Sequence, residues 1–281
     1  MFDTNPNLIQ DPQRSSERSS PTPLVLIHDG GGTIFSYYCL GSLGRPLYGI
    51  FNPNYHSGRS WAGGLPEMAR HYVRLVRTVV PRGPVILGGW SLGGLLSLEM
   101  ARELAGDPSL RVLGIVMIDS VYPRAPPAWL PSLPVVQHAA KWGENTRPET
   151  RAAVTRCFEE AVAMVGRWTP PAWGPESADA SQMASMDGRN SHSTSSPAHG
   201  PPPVFLLRAK EAVPVLVEGV SRVDLHRQDR LLGWGNYRRD MIVRVTDIPG
   251  HHFSIFALEN LDAVTEGLIK VCSEVEDWTP R

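Results

Sequence analysis

Residues 84–94 read Pro84-Val85-Ile86-Leu87-Gly88-Gly89-Trp90-Ser91-Leu92-Gly93-Gly94, and the fold turns on how this stretch is read. The apolar run before Gly88 has the length and branching of a buried strand. Leu95, Leu96, Leu98, Met100 and Leu104 follow as a helix that stops at Gly106-Asp107-Pro108. Ser91 therefore falls on a strand-to-helix turn, between glycines in a Gly-x-Ser-x-Gly pattern. A serine hydroxyl is a poor nucleophile until the fold presents it to a base and an oxyanion site. Gly89 and Gly93 carry no side chain, so strand and helix can close tightly around a strained turn. By residue usage alone such a pattern occurs in roughly one chain in ten of this length. The flanking strand and helix therefore carry the inference, against the alternative of a plain glycine-rich turn.

Outward from this turn, apolar runs alternate with helical stripes. Strands are expected at Leu24–His28, Leu47–Phe51, Val85–Gly88, Val112–Asp119, Val204–Arg208 and Ile242–Val245. Leu65, Met68, Ala69, Tyr72, Val76 and Val79 form a helical stripe that stops at Pro81. Leu258, Leu261, Val264, Leu268, Val271 and Val275 form another near the C-terminus. Strands alternating with helices predict an α/β fold with a mostly parallel sheet covered on both faces. In such sheets ligands sit at the carboxyl ends of the strands.

One interval breaks the alternation. Between Asp119 and Val204, Val154, Cys157, Phe158, Ala161, Val162 and Val165 keep helical spacing. The remainder is proline-rich or, from Trp173 to Pro203, nearly free of aliphatic residues. Residues 122–200 are expected to form a helical lid with a mobile segment above the active site, the alternative being a passive surface insertion. Residues 1–22, poor in apolar side chains, are expected to be a disordered lead-in or linker, with residues 23–281 a single domain.

Composition narrows the function classes. Across 281 residues, 27 Lys and Arg stand against 28 Asp and Glu, a formal net charge of −1. No basic stripe points to nucleic acid. Cys39, Cys157 and Cys272 are scattered without a Cys-x-x-Cys pair, which predicts reduced thiols, a cytoplasmic setting and no cysteine or metal chemistry. No uninterrupted apolar run reaches the roughly 18 residues a membrane span needs.

A nucleophilic serine needs a histidine, an acid to orient it, and oxyanion donors. The histidine is expected in Gly250-His251-His252-Phe253-Ser254, after the last strand, where chemistry alone does not separate His251 from His252. The acid is expected at Asp119, closing the strand that ends Ile118-Asp119-Ser120, because a carboxylate at the end of a buried strand is costly without a partner. Glu211, after the next strand, is the competing acid, and a helix cap is the structural alternative for Asp119. Oxyanion donors are expected from the backbone N–H of Leu92 and from the loop His28-Asp29-Gly30-Gly31-Gly32-Thr33. No Gly-Lys-Ser/Thr follows that loop, so it is not read as a phosphate cradle.

In this order, Leu-Val-Leu-Ile-His-Asp-Gly-Gly-Gly, Gly-Gly-Trp-Ser-Leu-Gly-Gly, Ile-Asp-Ser and Gly-His-His-Phe-Ser resemble the thioesterase domains of polyketide and nonribosomal-peptide synthases, within the α/β-hydrolase superfamily. The resemblance runs from about Pro23 to Val275, and the Asp-Gly-Gly-Gly wording is close to fungal examples. It implies an α/β-hydrolase fold with Ser91 as nucleophile, Asp119 as acid and, by the Gly-x-His-Phe motif, His252 over His251 as base. Gly30 is implied as the second oxyanion donor beside Leu92. Leu231-Leu232-Gly233-Trp234 also resembles a segment these domains carry before their last strand. The implied activity is release of an acyl chain from the phosphopantetheine arm of a carrier protein, by hydrolysis or cyclisation, with no cofactor and no metal. The alternatives are a carboxylesterase using the same triad and a non-catalytic acyl- or carrier-binding module.

Overall fold

The computed structural model describes residues 4–11, 21–124, 134–136, 142–173 and 200–279. Its elements are, in order, strands β1 (Asn7–Gln10) and β2 (Leu24–Ile27), helix α1 (Phe35–Tyr38), β3 (Leu47–Ile50), α2 (Gly64–Val79), β4 (Gly83–Trp90), α3 (Leu92–Glu103) and β5 (Leu110–Ile118). Then follow β6 (Val135–Val136), α4 (Pro148–Arg167), β7 (Val204–Ala209), β8 (Val220–Ser221), β9 (Ile242–Ile248) and α5 (Leu261–Glu276). Seven strands form one sheet in the order β1-β3-β2-β4-β5-β7-β9, and β6 pairs with β8 apart from it. Every neighbour pair in the large sheet is parallel except β1 with β3.

The central strands are buried on both faces, which is why they read as continuous apolar runs rather than alternating ones. On one face Leu65, Met68, Tyr72 and Val76 of α2 pack with α3 against Val25, Leu87, Ile115 and Leu206. On the other, Val264, Leu268, Val271 and Val275 of α5 pack with Tyr37 and Leu40 against Leu26, Ile86, Val116 and Phe205. Helix α3 is buried almost all round; Met164 and Trp168 of the insertion share its buried cluster, and the Trp168 indole N–H donates to Glu99. The expected doubly covered parallel sheet is thus present, with each of the six expected strands in place.

Two expectations meet the structure differently. Residues 7–10 are not a disordered lead-in: β1 adds to the sheet edge antiparallel to β3. Side-chain amides anchor it together with Ile9, which packs against the core. Asn5 Nδ2 donates to Phe51 O at 2.8 Å, Gln10 Nε2 donates to Gly41 O at 2.9 Å, and Leu43 N–H donates to Gln10 Oε1 at 2.9 Å. Within the expected lid, α4 is present as a helix. The expected mobile stretch falls mostly on residues 174–199, and residues 12–20, 125–133 and 137–141 likewise lie outside those described. Among the described residues no helix is long and apolar enough to cross a membrane. All three cysteines are free thiols.

Candidate active site

The site lies at the carboxyl ends of β2, β4, β5 and β9. Ser91 links β4 directly to α3 with φ 55° and ψ −112°, a backbone region that costs a non-glycine residue on the order of 1–3 kcal/mol. Its neighbours hold it there. The Ser91 N–H donates to Ile118 O at 2.9 Å, tying the turn to the end of β5. A Cβ at Gly93 would stand 2.3 Å from Ile27 O, and one at Gly89 would stand 2.6 Å from the same oxygen. Only glycine fits at either position, so the pattern reports a close backbone approach.

Asp119 follows β5, is 0% exposed, and takes a left-handed φ of 46°. That conformation turns its carboxylate along the strand ends towards His252, which is 3% exposed. The His252 Nδ1–H donates to Asp119 Oδ2 at 2.8 Å. The ring of Trp90 leans on the imidazole at 5.6 Å between centroids, so the residue beside Ser91 also packs His252. Among the described residues the Ser91 Oγ makes no hydrogen bond, an arrangement common where a catalytic contact tightens only on substrate.

The other candidates make different contacts. Glu211 accepts the Gly250 N–H at 3.3 Å and braces the turn before the two histidines. His251 accepts the Phe253 N–H at its Nδ1 at 3.2 Å, while its own N–H donates to Ser254 Oγ at 2.9 Å. Asp119 caps no helix; its Oδ1 accepts the Ala209 N–H at the end of β7 at 2.9 Å.

In the glycine loop after β2, the Gly31 N–H donates to Asp29 Oδ1 at 3.0 Å and the Gly32 N–H to Asp29 O at 3.1 Å. Among the described residues the Gly30 N–H has no such partner, and neither has Leu92 N–H in the first turn of α3, where backbone donors are unspent. The Phe158 ring of α4 lies against Gly30 and Gly31, 2.8 Å from where a Gly30 Cβ would stand. Burial pushes the Asp29 carboxyl up to about 6 against opposing pulls from the Gly31 N–H and from His252. Burial likewise lowers His28 to about 4, partly offset by its bond to the Asp29 carbonyl.

With this geometry in place, the family model described as "Thioesterase domain" matches residues 22–272. The chain belongs to the thioesterase domain family. It is 34% identical over 284 residues to the "Probable thioesterase gloN" of Glarea lozoyensis, covering 98% of this chain and 99% of that protein. It is also 34% identical over 288 residues to the "Nonribosomal peptide synthetase imqB" of Aspergillus flavus, covering 98% of this chain but 8% of the synthetase. A crystal structure of the NocB thioesterase domain in covalent complex with a fluorophosphonate nocardicin G analogue shares the fold. Its TM-score is 0.59 at 23% identity, covering 89% of this chain and 94% of that one. The thioesterase is therefore of the polyketide and nonribosomal-peptide type, and its sheet is the α/β-hydrolase sheet.

Sequence reasoning missed one group in this thioesterase. Arg227, 6% exposed, donates from Nη1 to Asp119 Oδ1 and from Nη2 to Asp119 Oδ2, each at 2.7 Å. Burial alone would raise the Asp119 carboxyl, but the bonds from Arg227 and then His252 outweigh it and hold it far below the ordinary carboxylate range. A buried carboxylate demands a cation or donors, yet nothing in the sequence says which arginine supplies them. The segment resembling Leu-Leu-Gly-Trp was the nearest signal. Its Trp234 Nε1–H donates to Ser120 O at 2.8 Å, which brings the Arg227 segment against the end of β5.

Proposed function

We propose that Ser91, His252 and Asp119 form the catalytic triad of this thioesterase, with the N–H groups of Leu92 and Gly30 as its oxyanion hole. The single observation that carries this reading is the buried Asp119–His252 pair beside a strained Ser91. The N–H groups of Leu92 and Gly30, at the ends of β4 and β2, are without a backbone partner among the described residues. Ser91 Oγ attacks the carbonyl carbon of an acyl thioester while His252 Nε2 takes its proton and Asp119 holds the imidazole. The oxyanion formed is met by the two N–H groups, each worth about 10²–10³ in rate. Collapse breaks the C–S bond, the thiol leaves with the proton from His252, and an acyl–Ser91 ester remains. Water, or a hydroxyl or carbon nucleophile of the same acyl chain, then gives its proton to His252 and attacks the acyl carbon, and Ser91 Oγ leaves with that proton returned from His252.

The substrate is a polyketide or peptidyl chain on the phosphopantetheine arm of an acyl or peptidyl carrier protein, in the cytoplasm. The kinship with thioesterases and with a synthetase segment supports that partner. The chemistry needs no resident cofactor. Residues 122–200 act as the lid, a role supported by the ring of Phe158 lying on the oxyanion loop. Whether water or the chain's own nucleophile resolves the acyl ester is set by the shape of this lid.

The test compares Ser91→Ala with the unaltered protein on an acyl N-acetylcysteamine thioester and the matched oxygen ester. The expected result is turnover of the thioester that is lost in the variant, with the oxygen ester the poorer substrate. Full turnover by Ser91→Ala would overturn the assignment. Preference for the oxygen ester would instead make the activity that of a carboxylesterase.

A further inference from the structure

Asp119 meets more than the histidine it orients. Its Oδ1 accepts from the Ala209 N–H and from Arg227 Nη1, and its Oδ2 accepts from Arg227 Nη2 and His252 Nδ1. Arg227 is equally committed. Its Nε donates to Asp224 Oδ1 at 2.8 Å, Nη1 also to Ala209 O at 2.9 Å, and Nη2 also to Val223 O at 3.4 Å. Its five donors are thus all engaged. Asp224, 6% exposed, is fixed in turn by the Val213 N–H on its other oxygen at 2.6 Å.

Resting on the triad assignment above, we infer that Arg227 is a positioning residue for catalysis: its two-pronged grip sets the angle and the charge of Asp119. Among the described residues Arg227 bonds Asp119, Asp224, Ala209 and Val223 and neither Ser91 nor His252, so it acts on the reaction through Asp119. A planar two-pronged grip fixes the plane of a carboxylate as a single point charge does not. That plane decides whether Oδ2 lies in line with Nδ1. The guanidinium also opposes the carboxylate's charge, so the imidazolium that forms during acylation faces a partly neutralised acid. Removing the cation leaves that imidazolium better stabilised, and the pH at which acylation switches on moves up. The other charged groups around the pair are fixed elsewhere or common to every variant. Asp29 acts on His252 from the loop after β2, and Arg208 on β7 pairs with Asp247 on β9 while donating to Arg227 O. Glu211 holds Gly250, His226 is bonded to Arg124 O, and His251 faces Phe253.

The experiment measures kcat, KM and the pH profile of kcat/KM for Arg227→Gln and Arg227→Lys on an acyl N-acetylcysteamine thioester. Urea unfolding of each protein is measured alongside. Arg227→Gln should lower the plateau of kcat/KM by about 10²-fold, through kcat with KM unchanged. Its acid limb should move up by about one pH unit. Arg227→Lys keeps the charge but loses the fork, so the limb should stay while kcat falls about tenfold. An arginine that merely stabilises the fold would leave the limb in place in both variants and cost activity only in step with folded protein; that result overturns the inference. If the glutamine variant does not fold, the lysine variant decides alone, and a kcat equal to that of the unaltered protein refutes the grip. Loss of Ser91-dependent turnover in the unaltered protein would be a failure of the triad assignment, visible before any Arg227 variant is read.

Discussion

Asp119→Asn changes one atom and should damage the protein twice. The carboxylate accepts four hydrogen bonds, from Ala209, twice from Arg227, and from His252. An amide has one oxygen and one NH2, so two of those four donors lose their acceptor whichever way it turns. With the oxygen towards Ala209 and Arg227 Nη1, the NH2 faces Arg227 Nη2 and His252 Nδ1, both donors. Arg227 keeps Asp224 as a partner, so the cost belongs at the lower end of the range for breaking a buried ion pair, about 3 kcal/mol. In a domain of this size that lowers the melting temperature by roughly 6 °C or more. The second effect is on tautomer. A donor at position 119 favours the imidazole with its proton on Nε2, the nitrogen that must receive the Ser91 proton. The acylation rate should fall about 10⁴-fold. The assay is stopped-flow release of thiol from an acyl thioester in a single turnover, with urea unfolding beside it. Acylation within tenfold of the unaltered rate, at unchanged stability, would refute the hydrogen-bond accounting on which the site rests.

Two further outcomes follow from the same geometry. Gly93→Ala puts a methyl 2.3 Å from Ile27 O and 3.0 Å from His28 O, backbone atoms that cannot rotate away. Helix α3 must retreat from β2 by about 1 Å, so acylation should fall about 10²-fold, with a stability loss of about 1–3 kcal/mol; a variant that acylates normally would show that the approach is not tight. His28, bonded to Tyr72 and lowered to about 4 by burial, stays neutral in the folded chain while the unfolded chain takes a proton below about 6.5. Stability held above that pH is therefore lost as pH falls towards 4, whereas Asp29, raised to about 6, works in the opposite direction over its own range. Comparing the unaltered protein with His28→Gln cancels the Asp29 contribution. Between pH 7.5 and 5 the stability difference should move in favour of the variant by roughly 2 kcal/mol, and parallel curves would contradict a neutral buried His28.

The parts legible in the sequence are those that burial and backbone geometry write locally. Val85–Leu87 and Val112–Ile118 read as strands because both their faces are apolar. Ser91 was legible because Gly89 and Gly93 must be glycine where they pass Ile27 O. Asp119 was legible because a carboxylate closing such a strand must have partners, and it has four. What stayed hidden depends on distant parts of the chain. Arg227 sits in a loop between β7 and β9 with no periodicity to mark it, and only the folded sheet brings it to Asp119. That His252 rather than His251 meets Asp119 was carried by the family's motif alone, since two adjacent histidines in one loop have no local mark of which ring turns inwards. Strand β1 was hidden for another reason. Its anchors are the amides of Asn5 and Gln10 and the single inward Ile9, and an edge strand with so little apolar content has the composition of a disordered segment.

The central claim is that Ser91 carries the acyl chain between two halves of the reaction. Intact-protein mass spectrometry after rapid mixing with an acyl N-acetylcysteamine thioester tests it most directly, followed by peptide mapping of the quenched protein. The account predicts a transient gain equal to the acyl group, located on Ser91, absent from Ser91→Ala and prolonged in His252→Ala once acylated. Turnover with no adduct at any quench time, or an adduct on another residue that decays at the catalytic rate, would contradict it.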